Sequence, residues 1–289
     1  MAELLALLAA AAFALGTTLQ QRGTLETAAG EEDPRFLLQI LHRPAWLFGG
    51  LFQVLGWILQ AAALDRGQLE VVQAIITLSL VIALPLGAWL TSQAIGRRQV
   101  VGAFLTVAGI MLFLTAGSPE GGTAHPSATA WWVTGLASAV AAAILGYLGW
   151  GRRRAAGAIL LGAGAGVCFA FQAAVTKEFV GQLGHGLGAV LTSWTPYVLL
   201  VTAVVGFGIQ QSALKKGELA PAMASSNSAT LIASVITGSA VFGETISPGG
   251  GLPGALMGLV VAVGGIWALA AGPEPTADST RLLPEQHPT

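Results

Sequence analysis

Apolar stretches of roughly 20 residues, each long enough to cross a hydrocarbon core of about 30 Å as a helix, recur along nearly the whole chain. They fall at about 2–21, 45–64, 70–92, 98–116, 129–150, 156–176, 189–213, 219–242 and 252–271. Backbone amides in lipid have no water to bond, so such stretches must satisfy themselves as helices. The expected fold is an all-α polytopic membrane protein with nine transmembrane helices. Only 9% of the 289 residues are charged, against about a quarter in a soluble domain, and no room is left for a soluble catalytic domain. A net charge of -1 argues against a nucleic-acid surface, and the single cysteine, Cys168, allows no intrachain disulfide.

Charge in the connecting segments sets the orientation. With the amino terminus outside, the cytoplasmic segments hold Arg22, Arg35, Arg43, Arg97, Arg98, Arg152, Arg153, Arg154, Lys215, Lys216 and Arg281, and the outside holds Arg66 and Lys177. Eleven against two is the bias produced when cationic loops resist translocation, so the chain reads N-out and C-in. The first stretch carries Glu3 and no cation ahead of its apolar run, so it reads as a retained span rather than a signal peptide. Residues 1–117 form a first half of four helices, 118–128 an external linker, and 129–272 a second half of five helices. Residues 23–44 read as a polar cytoplasmic loop, and the proline-rich 273–289 as a disordered cytoplasmic tail. The composition, rich in Ala, Gly and Arg, suggests a bacterial source and an integral cytoplasmic-membrane location.

A repeat lies inside this pattern. Gly56, Gln60, Ala63, Leu64, Gly67 and Leu69 return as Gly206, Gln210, Ala213, Leu214, Gly217 and Leu219, a shift of 150 positions. The first copy runs outward and the second inward, as in transporters built from inverted repeats. Gly102 and Gly109 in the fourth helix likewise match Gly258 and Gly265 in the ninth.

These segments resemble the drug/metabolite transporter superfamily, in its EamA-like and NIPA-type magnesium transporter branch. The resemblance is carried by Trp46 with Gly49 and Gly50, Gly56 to Gln60 followed by Ala61 to Leu64, and Leu69 to Ala74; in the second half it is carried by Gln210 to Leu214 and Ser239 to Glu244. It implies a transporter fold over nearly the full chain. The sequence differs from the NIPA-type pattern at Ala74 and Ala224, where that branch carries proline.

With charge so scarce, amides and hydroxyls at membrane depth are the candidate solute ligands. Gln53 and Gln60 share a helix face, as do Gln73 and Thr77, and Gln60 and Thr77 correspond across the repeat to Gln210 and Asn227. The inverted halves are therefore expected to bring two related polar pairs toward the midplane, with Thr230 and Gln172 completing the lining. A competing reading has these groups joining helices by hydrogen bonds. Asp65, Glu70, Lys177 and Glu244 lie near the outer mouth, either as solvated interfacial charges or as an outer gate in which Lys177 pairs with an acid.

The expected function is a transporter that moves a small solute by alternating access. The amide-rich lining suits a neutral or zwitterionic metabolite. A magnesium transporter and a non-transporting membrane scaffold stand as alternatives. No nucleophile–base pair and no metal-ligand motif is visible at depth, so neither enzyme activity nor a resident metal or cofactor is expected. The expected partners are the lipid bilayer and a small molecule or ion, with no nucleic acid; a homodimer is one expectation for the assembly.

Overall fold

The computed structural model describes residues 1–25, 43–91, 96–117, 120–123, 126–152, 154–184, 186–214, 219–245 and 251–270. Most of the loop at 23–44, parts of the linker and the tail at 273–289 lie outside the described residues. Among the described residues the α-helices are α1 (Ala2–Leu25), α2 (Pro44–Leu64), α3 (Leu69–Thr77), α4 (Ser79–Thr91), α5 (Arg97–Gly117), α6 (Ala128–Trp150), α7 (Arg154–Leu183), α8 (Leu187–Thr192), α9 (Thr195–Leu214), α10 (Leu219–Thr237) and α11 (Gly251–Ala270). Local chemistry explains several ends. Pro44 opens α2 at a position that needs no backbone N–H, and the Ser127 hydroxyl accepts from the Ala130 N–H at the start of α6.

Two breaks shape the bundle. At Leu78 the chain passes from α3 to α4, and the two together make one apolar run, Leu69–Leu90. At the end of α10 the helix widens into a π-turn, Gly238–Phe242, closed by Gly243 in the left-handed region at φ 66°. The strand β2 (Glu244–Thr245) follows and pairs antiparallel with β1 (Glu120–Gly121) from the segment between α5 and α6.

Among the described residues, seven helical segments are long and apolar enough to cross a membrane, and Thr195–Gln210 is a shorter apolar one. The chain is an all-α polytopic membrane protein. Residues Leu219–Thr237 fall outside the seven because Ser225, Ser226, Asn227, Ser228, Thr230 and Ser234 dilute the apolar character of α10. Large apolar side chains such as Phe104, Trp132 and Tyr147 face outward, 72%, 79% and 83% exposed, as suits a lipid-facing surface. The interior is built instead from small residues that let backbones approach.

Glycine contacts define the packing. A β-carbon on Gly102 would fall 2.8 Å from the Gly265 carbonyl oxygen, and one on Gly109 would fall 2.6 Å from that of Gly258, so α5 and α11 cross antiparallel and nearly backbone to backbone. Gly16 and Gly49 join α1 to α2, and Gly162 and Gly166 seat α7 on α10. Phe13 of α1 covers Gly56 of α2, and Phe169 of α7 covers Gly206 of α9.

The two ends of the bundle differ chemically. Arg22, Arg97, Arg98 and Arg152 mark one, the arginine end. At the other, Ala2 meets Gly67, Gly251 meets Ala116, and Glu244 meets the start of α3; this is the carboxylate end.

Candidate functional site

Helix α7 is long, and its thirty residues exceed the thickness of a hydrocarbon core at 1.5 Å per residue. It lines both candidate sites, a polar spot partway along the bundle and a charged knot at the carboxylate end.

The first is a crevice of about 500 Å³ between α2, α7 and α9. Gln53, Gln172 and Thr176 supply its polar atoms, and Val54, Trp57, Ile58, Ala61, Phe179 and Leu199 its apolar walls. Gln53 is the tenth residue of the 21 in α2, so its amide stands near mid-depth. Its Nε2 donates to the Thr17 hydroxyl at 3.0 Å. Gln172 is buried, 5% exposed, and its Oε1 has no hydrogen-bond partner among the described residues. Thr176 returns its hydroxyl to the Gln172 carbonyl at 2.8 Å. The crevice is thus mostly apolar, with the Gln53 amide on its border and the Gln172 oxygen buried behind its wall. A hollow of similar size at the arginine end, about 470 Å³ beside Arg97, Arg98, Val101 and Ala268, has no amide or hydroxyl in its lining.

The remaining predicted lining residues are dispersed. Gln60 stands four residues from the end of α2 at the carboxylate end, whereas Gln210 stands four residues from the end of α9 at the arginine end. The expectation that this pair meets at the midplane is therefore corrected: an inversion carries equivalent positions near helix ends to opposite ends of the bundle. Gln210 is buried where α9 meets α10 and donates to the Met223 sulfur at 3.3 Å, leaving Oε1 without a partner among the described residues. Asn227 donates to the Met223 carbonyl at 2.8 Å, and Thr230 to those of Ser226 at 2.8 Å and Gly166 at 3.1 Å. Thr77 donates to the Gln73 carbonyl at 2.9 Å, while the buried Gln73 Nε2 lacks a partner among the described residues.

The charged knot gathers three of the four residues predicted near the outer mouth. Glu244 is 1% exposed, and its Oε1 accepts from Lys177 Nζ at 2.5 Å and from the Leu69 N–H at 2.9 Å; Oε2 accepts from the Glu70 N–H at 3.4 Å. A carboxylate from β2 therefore caps the amino terminus of α3 across 175 residues of sequence. Glu70 is 0% exposed; its Oε1 accepts from the Ser239 hydroxyl at 3.2 Å, and its Oε2 has no partner among the described residues. Reading these two acids as solvated interfacial charges is thus overturned by burial. Asp65 stays apart, on the surface, 3.6 Å from Arg66.

Several members of the knot were not predicted as functional. Ser239 and the π-turn below it belong to the 239–244 motif, but nothing in the sequence says that this turn meets α3. The Lys177 ammonium sits 4.6 Å above the Phe242 ring, and Trp131 packs edge-on to Phe242, Phe171 and Trp194 at 5.8, 6.1 and 4.9 Å. These rings floor the knot and limit the water that reaches it.

Comparison with known proteins agrees with this architecture. Residues 28–115 match the EamA-like transporter family. Over 246 residues the chain is 30% identical to an uncharacterized protein of Corynebacterium glutamicum, covering 84% of this chain and 85% of that one. The chain carries an EamA-like transporter domain. Members of that family are membrane transporters rather than enzymes, so this EamA-like protein is placed in the lipid bilayer. Its similarity to the Corynebacterium protein extends well beyond residues 28–115. No solved structure matches it.

Proposed function

We propose that this EamA-like protein moves a small solute across the cytoplasmic membrane by alternating access between two inverted halves. The observation that carries the reading is the crossing of α5 and α11. A shift of 156 positions takes Gly102 to Gly258 and Gly109 to Gly265, and it takes the contact Gly102–Gly265 onto the contact Gly258–Gly109. A contact that maps onto itself in this way fits a two-fold relation. Because the two helices run antiparallel, the relation inverts one half against the other; a parallel repeat would align them. The same shift takes Phe13 to Phe169, and each ring covers the glycine of the repeated segment, Gly56 or Gly206.

On this reading nine helices span the membrane, N-out and C-in, with α9 and α10 added to the seven apolar segments. Residues 1–117 and 129–272 rock against each other, joined by the linker at 118–128. Gln53 and Gln172 hold the solute in the crevice, helped by Thr176. Gln73, Thr77, Asn227 and Thr230 border the path, and Gln210 stands at its arginine end. A mostly apolar crevice with the Gln53 amide on its border suits a neutral or zwitterionic solute with a hydrogen-bonding group and an apolar body.

The test is a thermal-shift screen of purified protein against neutral metabolites, zwitterions and magnesium, with Gln53→Ala and Gln172→Ala beside the parent. A solute that stabilises the parent and neither variant supports the reading. Stabilisation by magnesium alone, unchanged in both variants, counts against it, and so does a solute whose effect survives both substitutions.

A further inference from the structure

The charged knot contains two carboxylates and one ammonium, all held among apolar rings and helix backbone. Glu244 is matched as an anion, since Lys177 and two helix N–H groups meet its two oxygens. Glu70 is not. It receives one hydroxyl, from Ser239, and its second oxygen is fully buried with no donor among the described residues. The charged groups that face it are Glu244 from β2 and Lys177 from α7, and the Lys177 ammonium is already placed on Glu244. Gly238 of the π-turn lies against both acids; a β-carbon there would fall 2.5 Å from Glu244 Oε2 and 2.9 Å from Glu70 Cγ, so the two carboxyl groups are pressed into one small volume. Nearby on α3, the Gln73 Nε2 is buried and also without a partner among the described residues.

We propose that Glu70 is a proton-binding site whose occupancy holds the carboxylate end of the bundle shut. A buried anionic oxygen with no donor among the described residues, next to a second carboxylate that already holds Lys177, is strongly unfavourable. A proton on Glu70 removes that charge and leaves the Lys177–Glu244 pair neutral overall. The knot then ties α3 of the first half to α7, the π-turn and β2 of the second. When this end opens and water enters, the Glu70 carboxyl gives its proton to water as hydronium and becomes a solvated carboxylate. The closed form holds one proton more than the open form. Closure is therefore favoured as pH falls and opening as pH rises, by about tenfold per pH unit once the open form is ionised. That closure here is one half of a transport cycle rests on the transporter reading above; the proton site rests on the knot alone.

Two measurements on the full chain, neither needing a solute, test the site. In infrared difference spectra between acid and alkaline pH, the parent is expected to lose a protonated-carboxyl C=O band that shifts in heavy water. Glu3→Gln, altered at an exposed acid, keeps the band. Glu70→Gln lacks it, and so does Glu244→Gln, because Lys177 then pairs with an ionised Glu70. A band that persists in Glu70→Gln, or a parent without one, overturns the proposal. Hydrogen exchange at the Leu69 and Glu70 amides, corrected for the intrinsic pH dependence, gives the mechanical readout. Protection is expected to fall with rising pH in the parent and to stay level in Glu70→Gln, whose neutral amide mimics the bound proton. Equal pH dependence in the two proteins overturns the latch, whatever solute flux is found.

Discussion

Gly109 and Gly258 meet so closely that a β-carbon on either would fall 2.6 to 2.7 Å from the carbonyl oxygen of the other. Together with Gly102 and Gly265 they form the crossing of α5 and α11. A methyl group has no room there without separation of two helix backbones, which makes the crossing sensitive to the smallest substitution.

Gly109→Ala is expected to destabilise the protein by about 1–3 kcal/mol, the usual range for overpacking. Gly146→Ala is the control, because a β-carbon at Gly146 meets nothing within 4 Å. It is expected to be neutral or slightly stabilising, since Ala favours helix over Gly by roughly 1 kcal/mol. Thermal unfolding in detergent compares the two.

Glu244→Ala is expected to cost more than any other single change at the carboxylate end, about 3–5 kcal/mol, as when one partner of a buried ion pair is removed. It uncaps α3 and forces Lys177 to give up its pair and turn to Glu70. Lys177→Met is expected to cost less, because the two helix N–H groups still meet Glu244 and the Lys177 side chain is 19% exposed already. Unfolding midpoints of the two variants should fall in that order, and the reverse order would show that the cap is unimportant.

Much of the helical architecture was legible because lipid imposes a simple rule, apolar runs of a set length. The glycines of α5 and α11 were legible as a repeated pattern, and the structure adds that they touch crosswise, Gly102 on Gly265 and Gly109 on Gly258. The candidate site was less so. Gln53 and Gln172 stand out as amides at depth, but that they border the same crevice depends on how α2 lies against α7. Gln60 and Gln210 matched in sequence and separated in space, since a repeat records equivalence and not proximity. Glu70 and Glu244 looked interfacial because a linear sequence hides the π-turn and the β1–β2 pairing that fold over them.

Within the crevice, Gln53→Ala and Gln172→Ala are each expected to weaken solute binding about tenfold, equivalent to roughly 1.4 kcal/mol for one hydrogen bond lost in an apolar wall. Gln60→Ala, at the end of α2, is expected to leave affinity unchanged. Titration of the stabilising solute against the three variants distinguishes the crevice from the repeat as the seat of binding.

The central claim, that this EamA-like protein is a solute carrier, is tested most directly by uptake into vesicles reconstituted with the purified protein. The account predicts saturable entry of the stabilising solute, accelerated when unlabelled solute is preloaded inside, and strongly reduced by Gln172→Ala. Entry no faster than in protein-free vesicles, for every solute that stabilises the protein, would contradict it.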